Sequence, residues 1–452
     1  MKILGVSSYH HDSAAVSLKN GFIEGASHEE RFSRVKFDNR FPKNTVEWLR
    51  DTYDDWEFAA FYEKETYSQF KSDIRKYTTA KPVLVDHHES HAMSSIILTD
   101  WTECAIMVVD TVGGKFSTSL GAYRNGKIEW IKRFRYPNSL GLFYSSATRL
   151  LGFEPLVDEC KIMSAAAYGE PKWESLIKDK ILHYEDGDYQ LLHNLMRGVG
   201  AGALDWDIAA SVQRTIENIL VNLADWLYRE TGYDKLAYAG GVALNCVANS
   251  KIARYCAYNQ IAIQPAAGDA GCALGAAALI SRPLMQTPFL GYESTNYVSA
   301  EEAARRIIDG EIVAVIQGRA EFGPRALGNR SWLCTPTQAN IDKLNEMKKR
   351  GKDSWRPYAP IVQKEEADRF FHLHHPNEHM MFTADIIDGN FKTHDSSARV
   401  QLVTGTSNAY LWKVLEYTRQ YGWPVLINTS LNARGKPIVN SLQDMNEIQL
   451  YN

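Results

Sequence analysis

The sequence predicts an α/β protein of two domains, the first built from an internally duplicated unit. Three observations carry this. The chain has 452 residues, more than one hydrophobic core usually serves. Two Asn-Gly pairs, Asn20-Gly21 and Asn125-Gly126, each join runs of strand character, roughly a hundred residues apart. Basic loops rich in Gly, Pro, Ser and Asn are confined to the last third of the chain.

The first run reads "KILGVSS", a polar "YHHD" loop, "SAAVSLK", the Asn-Gly turn and "FIEGASH". Asn and Gly both tolerate positive φ, so the pair is a strong hairpin signal. The pattern returns as "CAIMVVD", "TVGGK", "FSTSLGAYR", Asn-Gly and "KIEWIKRF". Both copies end their first strand on polar or acidic residues. Two β-β-β units, each followed by helices, suggest the actin-like ATPase architecture, in which the two strand-end loops flank a nucleotide.

Helices come next. "NSLGLFYSSATRLLG" has helical periodicity, with Asn138 or Ser139 as N-cap and Gly152 past the end. "DIAASVQRTIENILVNLADWLYRETG" is a long amphipathic helix stopping at Gly232. "KLAYAGGVALNCVANSKI" reads as buried strand, glycine turn and helix. "IAIQPAAGDAGCALGAAALI" reads as a loop, an acidic residue and a small-residue helix. Periodicity lapses over 281–299, and a linker is expected at 286–299 between domains 1–285 and 300–452. The last segment carries "GRAEFGPRALGNRSWL", "MKKRGKDSWRPYAP", "SSARVQLV" and "LINTSLNARGKPIV". Cations among such small and polar residues suit anion-binding loops.

The composition is that of a soluble globular protein. A net charge of -4 gives no general attraction for polyanions, which leaves only a local basic cleft. Six scattered cysteines without a CxxC pair argue against a disulfide scaffold or zinc ribbon and for a reducing compartment. No signal peptide or membrane-spanning run is expected, so the reading is cytoplasmic, in its own cell or a host's.

"VDHHESHAMSS", residues 85–95, looks at first like a metalloprotease site. His87 and His91 are four apart and share one face of a helix, the spacing that chelates a metal. A zincin needs Glu directly after the first ligand, and His88 occupies that place. Glu89 lies about 200° around the helix from His87, away from the metal. The inverted motif fails too, at Ser90. Asp110 ends a buried-looking strand, and Asp269 lies among small residues that permit close approach. Two imidazoles and two carboxylates suit iron, zinc or manganese.

At these residues a resemblance becomes plain. "HHESHA", "VVDTVGG", "YAGGVALN" and "GDAGCALGAA" resemble motifs of the O-carbamoyltransferases that tailor nodulation factors, aminoglycosides and cephalosporins. The likeness continues through "YHHDSAAV", "EERFSRVKF" and "NSLGLFYSSATRLLGFEP", then "EFGPRALGNRS", "RPYAP", "ARVQLV" and "NTSLNARGKPIV". It implies an actin-like N-terminal domain, similar to the tRNA threonylcarbamoyl-transfer proteins, and a YrdC-like C-terminal domain.

The resemblance makes His87, His91, Asp110 and Asp269 the ligands of a divalent metal, iron first, with zinc or manganese as alternatives. It makes His11 the catalytic residue at the acceptor hydroxyl, where a neutral imidazole would accept the proton or steady the carbamoyl group. It implies that Gly240, Gly241 and Asn245 hold adenine and ribose, and that Lys161 meets a phosphate. In the C-terminal half it implies that Arg325, Arg330, Lys348, Arg350, Arg356 and Arg399, with Ser430 and Asn432, bind carbamoyl phosphate and ATP, the latter with Mg²⁺. Arg434 is a weaker candidate. Cys160 and Ser164 depart from the family's glycines, and two extra residues in "KKRGKDSWRPYAP" leave Lys348 and Lys349 as alternatives.

The implied activity is ATP-dependent O-carbamoyl transfer through carbamoyladenylate. Segments that frame the acceptor in larger relatives are short here. That tilts the expected acceptor toward a hydroxymethylated pyrimidine, such as 5-hydroxymethylcytosine, in viral DNA, flipped out or single-stranded. The alternative is a sugar or other small-molecule hydroxyl. A non-enzymatic actin-like nucleotide switch is the contrasting class, and it has no use for His87 and His91. The resemblance admits a homodimer.

Overall fold

The computed structural model describes residues 1–192, 202, 204–295, 298–348, 350–388 and 395–449. The chain forms two compact units. The first comprises Met1–Glu24 and Asn39–Gln286, the second Gly25–Asp38 and Thr287–Asn452.

Two five-stranded sheets of one topology belong to the first unit, except that the edge strand Phe22–His28 runs on past Glu24 into the second unit's residues. Strands β1 (Lys2–Ser7), β2 (Ala14–Lys19), β3 (Phe22–His28), β4 (Phe58–Phe61) and β5 (Lys81–Leu84) lie in the order β3-β2-β1-β4-β5. Strand β1 is antiparallel to β2 and parallel to β4, and β4 is parallel to β5. The second sheet comprises β6 (Glu103–Gly113), β7 (Phe116–Arg124) and β8 (Lys127–Arg135). After a small hairpin of β9 (Leu182–Glu185) and β10 (Asp188–Leu191), it adds β11 (Lys235–Ala239) and β12 (Gln260–Ile263). Its order, β8-β7-β6-β11-β12, repeats the first sheet strand for strand, and β6 is antiparallel to β7 and parallel to β11 as β1 is to β2 and β4. This is the duplicated actin-like α/β fold.

The local reasons are those in the sequence. Asn20 and Gly21 have φ of 51° and 81°, Asn125 and Gly126 52° and 76°, so both hairpins turn through left-handed backbone. Ser139 caps the Leu140–Leu150 helix, accepting from Leu142 N at 3.0 Å. The Trp206–Thr231 helix ends at Gly232 in the left-handed conformation. Strand β1 is central, and Ile3, Leu4 and Val6 are wholly buried.

Two helices frame the histidine pair. The His87–Ile96 helix begins at Asp86, whose carboxylate accepts from Glu89 N at 3.0 Å. The Asp269–Ile280 helix packs directly on it. They meet tightly at Gly275, where a Cβ would lie 1.7 Å from the Ser90 carbonyl oxygen. Only glycine lets these two backbones meet.

The second unit is α/β as well. Strands β13 (Phe289–Glu293), β14 (Val313–Ile316), β15 (Arg319–Glu321), β16 (Arg330–Cys334) and β17 (Ala359–Gln363) are followed by short β18 (Phe371–His372), β19 (Ala384–Ile386) and β20 (Ser397–Ala398). Strands β21 (Gln401–Val403) and β22 (Val425–Ser430) complete it. The main sheet runs β14-β16-β22-β17-β21, antiparallel except between β17 and β21. The Ala300–Ile308 and Ala409–Gln420 helices pack on it through Ala303, Ile307, Leu411 and Leu415 against Val315 and Leu426. Within the expected linker, β13 pairs with β15. Its short apolar stretch, Phe289–Leu290, is too brief to show periodicity. Among the described residues no helix is long and apolar enough to cross a membrane.

Candidate metal centre and anion site

His87 and His91 occupy the first and fifth positions of their helix, so both imidazoles project from one face. Their Nε2 atoms are 3.2 Å apart. Asp269 Oδ1 lies 3.6 Å from His87 Nε2 and 3.5 Å from His91 Nε2. Asp110 Oδ2 lies 3.5 Å from His91 Nε2 and 3.9 Å from His87 Nε2. Tetrahedral bonds of about 2.1 Å place donors about 3.4 Å apart, so these spacings fit one metal ion. Burial opposes protonation of both imidazoles, yet neighbouring groups, Asp269 among them, hold their pKa values well above the ordinary one. Burial also opposes ionisation of Asp269, and hydrogen bonds from the two histidines more than offset it and keep its pKa low. Two imidazoles among buried carboxylates make a centre that a cation neutralises.

Two features of this centre escape sequence reasoning. Glu63, just past β4 and 4 % exposed, accepts from His87 Nδ1 at 3.0 Å. Burial would raise its pKa, but the bonds to His87 and Glu65 hold it at about 2. Glu63 thereby fixes the tautomer that turns the Nε2 lone pair toward His91 and Asp269. Gly241 N donates to Asp110 Oδ1 at 3.2 Å, leaving Oδ2 toward the histidines. Gly240, at φ 97°, makes the turn possible, since a Cβ there would lie 2.2 Å from Val109 O. The Gly240-Gly241 pair therefore orients a carboxylate in addition to any contact with adenine. The only signal in the sequence is the glycine pair itself. His88 is buried against Ser119, its Nδ1 2.7 Å from the hydroxyl, and burial drives its pKa well down. It is a neutral core residue.

The other expected nucleotide contacts are partly engaged. Asn245 Oδ1 caps the Cys246–Tyr255 helix, accepting from Ala248 N at 3.1 Å, and Nδ2 donates to Gln213 Oε1 at 3.0 Å. Lys161 Nζ lies 3.1 Å from Asp158 Oδ2. His11 Nε2 donates to Leu156 O at 2.5 Å, and Nδ1 lies 3.4 Å from Asp12 Oδ2. Burial would lower its pKa, but Asp12, Asp269 and the Leu156 carbonyl raise it to about 9. A neutral imidazole at neutral pH is thus replaced by an imidazolium with two donors.

In the second unit, Lys348 Nζ donates to Ser430 O at 2.6 Å and Asn432 Oδ1 at 2.9 Å. Burial, then Arg350, Arg356 and Lys36, push its pKa down to about 7. Arg350 donates to Arg356 O at 2.6 Å and stacks over Tyr358. Burial lowers its pKa to about 10. Lys349 lies outside the described residues. Arg434 approaches Gly351. The 326–327 main chain is tied to β22 and β21 through Asn428 Nδ2 to Ala326 O at 3.1 Å and Gln401 Nε2 to Leu327 O at 2.8 Å. Arg325 precedes this stretch, and Arg399 carries a buried Nε with no protein acceptor.

Arg330 departs from its expected role. Its guanidinium is wholly buried and donates to five main-chain carbonyls, those of Asn440, Gln317, Asn329, Tyr292 and Gly318, at 2.8–3.1 Å. Every donor is spent, which leaves none for phosphate. Arg330 holds the loop that carries Arg325.

Residues 49–278 match the carbamoyltransferase N-terminus family and residues 304–451 the carbamoyltransferase C-terminus family. The chain belongs to the carbamoyltransferase family. This carbamoyltransferase is 32% identical to protein sll1178 of Synechocystis sp., over 98% of this chain and 93% of that one. It is 30% identical to nodulation protein NolNO of Sinorhizobium fredii, over 97% of this chain and 76% of that one. It is also 30% identical to the 3'-hydroxymethylcephem-O-carbamoyltransferase of Streptomyces clavuligerus, over 69% of this chain and 65% of that one. The histidine centre lies in the part matched to the N-terminal family and the Lys348 cluster in the part matched to the C-terminal one. The enzyme is a transferase, and its family reaction is carbamoyl transfer to a hydroxyl.

Proposed function

We propose that this carbamoyltransferase makes carbamoyladenylate from ATP and carbamoyl phosphate and passes the carbamoyl group to a primary hydroxyl. The observation that carries the first half is the half-buried cationic cluster. Lys348, Arg350 and Arg356 gather beside Ser430 and Asn432, a setting suited to oxyanions, and the open Nε of Arg399 is a further donor of the same unit. Carbamoyl phosphate loses phosphate to water there, and the resulting carbamate attacks the α-phosphorus of Mg²⁺-bound ATP. A carbamate–phosphorus bond forms and pyrophosphate leaves.

In the first unit the acceptor hydroxyl attacks the carbamoyl carbon, a C–O bond forms and AMP leaves. The hydroxyl proton is released to solvent. His87, His91, Asp110 and Asp269 would hold a divalent ion, iron being the first choice, which would supply Lewis-acid stabilisation of developing negative charge. His11, whose ring is fixed by the Leu156 carbonyl and Asp12, is the residue we place at the acceptor hydroxyl. Gly240, Gly241, Asn245 and Lys161 serve the adenylate.

The cephem relative's name specifies a hydroxymethyl acceptor. A hydroxymethylated pyrimidine in DNA presents the same primary alcohol on an unsaturated ring, and it is the acceptor we favour. Incubation with ATP, carbamoyl phosphate and hydroxymethylated DNA, scored by mass spectrometry, should show a gain of one carbamoyl group with AMP and pyrophosphate. Carbamoylation of small hydroxymethyl compounds alone, with DNA binding insensitive to salt, rejects DNA as acceptor. Absence of AMP with every acceptor rejects the adenylate route.

A further inference from the structure

Among the described residues, the group of metal-binding atoms that lie mutually close differs from the expected one. It comprises His87, His91, Asp269 and Cys272, whose ligand atoms all lie within 4.8 Å of one another. Asp110 stands outside that group, with one oxygen held by Gly241. Cys272 follows Asp269 by three residues on the same helix, so both side chains share a face. The contact of Gly275 with Ser90 presses this helix against the one bearing the histidines. The cysteine is completely buried, and its sulfur lies within 4.8 Å of a ring nitrogen of each imidazole. A cysteine in a small-residue helix ordinarily serves as a compact apolar filler. This one faces two ring nitrogens and a carboxylate.

We propose that Cys272 is a sulfur ligand of the metal held by His87, His91 and Asp269. Thiolate is a soft donor, so the mixed nitrogen, oxygen and sulfur set favours iron(II), zinc or cobalt over magnesium and manganese. The inference rests on the metal reading of the histidine pair, and the test separates the two.

The full chain is stripped of metal and titrated with cobalt(II). The wild type should show visible d–d bands together with a near-ultraviolet sulfur-to-cobalt charge-transfer band. Cys272→Ser should keep the d–d bands and lose the sulfur band, and His91→Ala should lose both. A wild type with d–d bands and no sulfur band overturns the cysteine assignment while leaving the histidine site standing. A wild type that binds no cobalt overturns both. Should Cys272→Ser fail to fold, zinc-edge X-ray absorption of the wild type decides alone: a Zn–S shell at about 2.3 Å is expected, and its absence rejects the ligand.

Discussion

Glu63 shows what a single residue adds to the candidate metal centre. Its carboxylate takes the Nδ1–H of His87 at 3.0 Å and leaves Nε2 as the lone-pair donor. Glu63→Ala should weaken divalent-metal affinity by ~10–100-fold, read by competition with a chromophoric chelator. Unchanged affinity would show that helix geometry alone sets the ring. Glu63 is illegible in the sequence because a carboxylate 24 residues upstream of its histidine belongs to no local pattern. His87 and His91 are legible because one helical turn brings them together. His11 gives a second test. Burial opposes its protonation, yet Asp12 above all raises its pKa to about 9, well over the ordinary 6.5. The folded state therefore binds the proton more tightly than the unfolded chain does. The resulting stability is fully present below about 6.5 and is lost as pH rises through about 9. NMR titration of the His11 ring in metal-free protein should give a midpoint near 9, and Asp12→Asn should bring it back toward 6.5. A wild-type midpoint near 6.5 would restore His11 as a neutral base.

At the scale of elements, the crossing of the His87–Ile96 and Asp269–Ile280 helices assembles the centre. Gly275→Ala would set a methyl 1.7 Å from Ser90 O, a contact backbone cannot absorb. The helices must separate, carrying Asp269 and Cys272 away from the histidines. Loss of metal binding and a lowered Tm are expected, and a variant that binds metal as the wild type does would refute the crossing as the organiser. This dependence is invisible in the sequence, where "GDAGCALGAA" reads only as a small-residue helix. In the second unit the Lys348 ammonium lies between strand β22 and a cationic loop. Its pKa near 7 means the free site is part neutral at neutral pH, while a bound phosphate requires the charged form. Binding of carbamoyl phosphate should take up a proton, and affinity should fall as pH rises above about 7, by up to ~10-fold per unit. Calorimetry in buffers of different ionisation enthalpy reads the uptake. Lys348→Arg keeps the charge and should flatten the pH dependence. A wild type with no proton uptake would place Lys348 outside the anion site.

The whole molecule comprises two units, each matched by its own family segment, and the proposed route assigns one step to each. The duplication in the first is legible because two Asn-Gly hairpins mark the same point in two sheets of identical order. The second unit's inclusion of Gly25–Asp38 is not, because "EERFSRVKF" carries no sign of which core it joins. Arg330 misleads for a related reason: a sequence displays a cation but not the five carbonyls that consume its donors. If adenylate formation and carbamoyl transfer belong to separate units, they must be separable by mutation. His91→Ala should still release pyrophosphate from ATP in the presence of carbamoyl phosphate, at a rate close to the wild type, while transferring no carbamoyl group. Lys348→Ala should lose both activities, because no carbamoyladenylate forms. Chemically prepared carbamoyladenylate should then restore transfer to Lys348→Ala and leave His91→Ala inactive. The crossed rescue distinguishes two sites from one. Were His91→Ala to lose pyrophosphate release as completely as Lys348→Ala, the metal centre would be required for activation as well, and the division of labour drawn from the two units would fall.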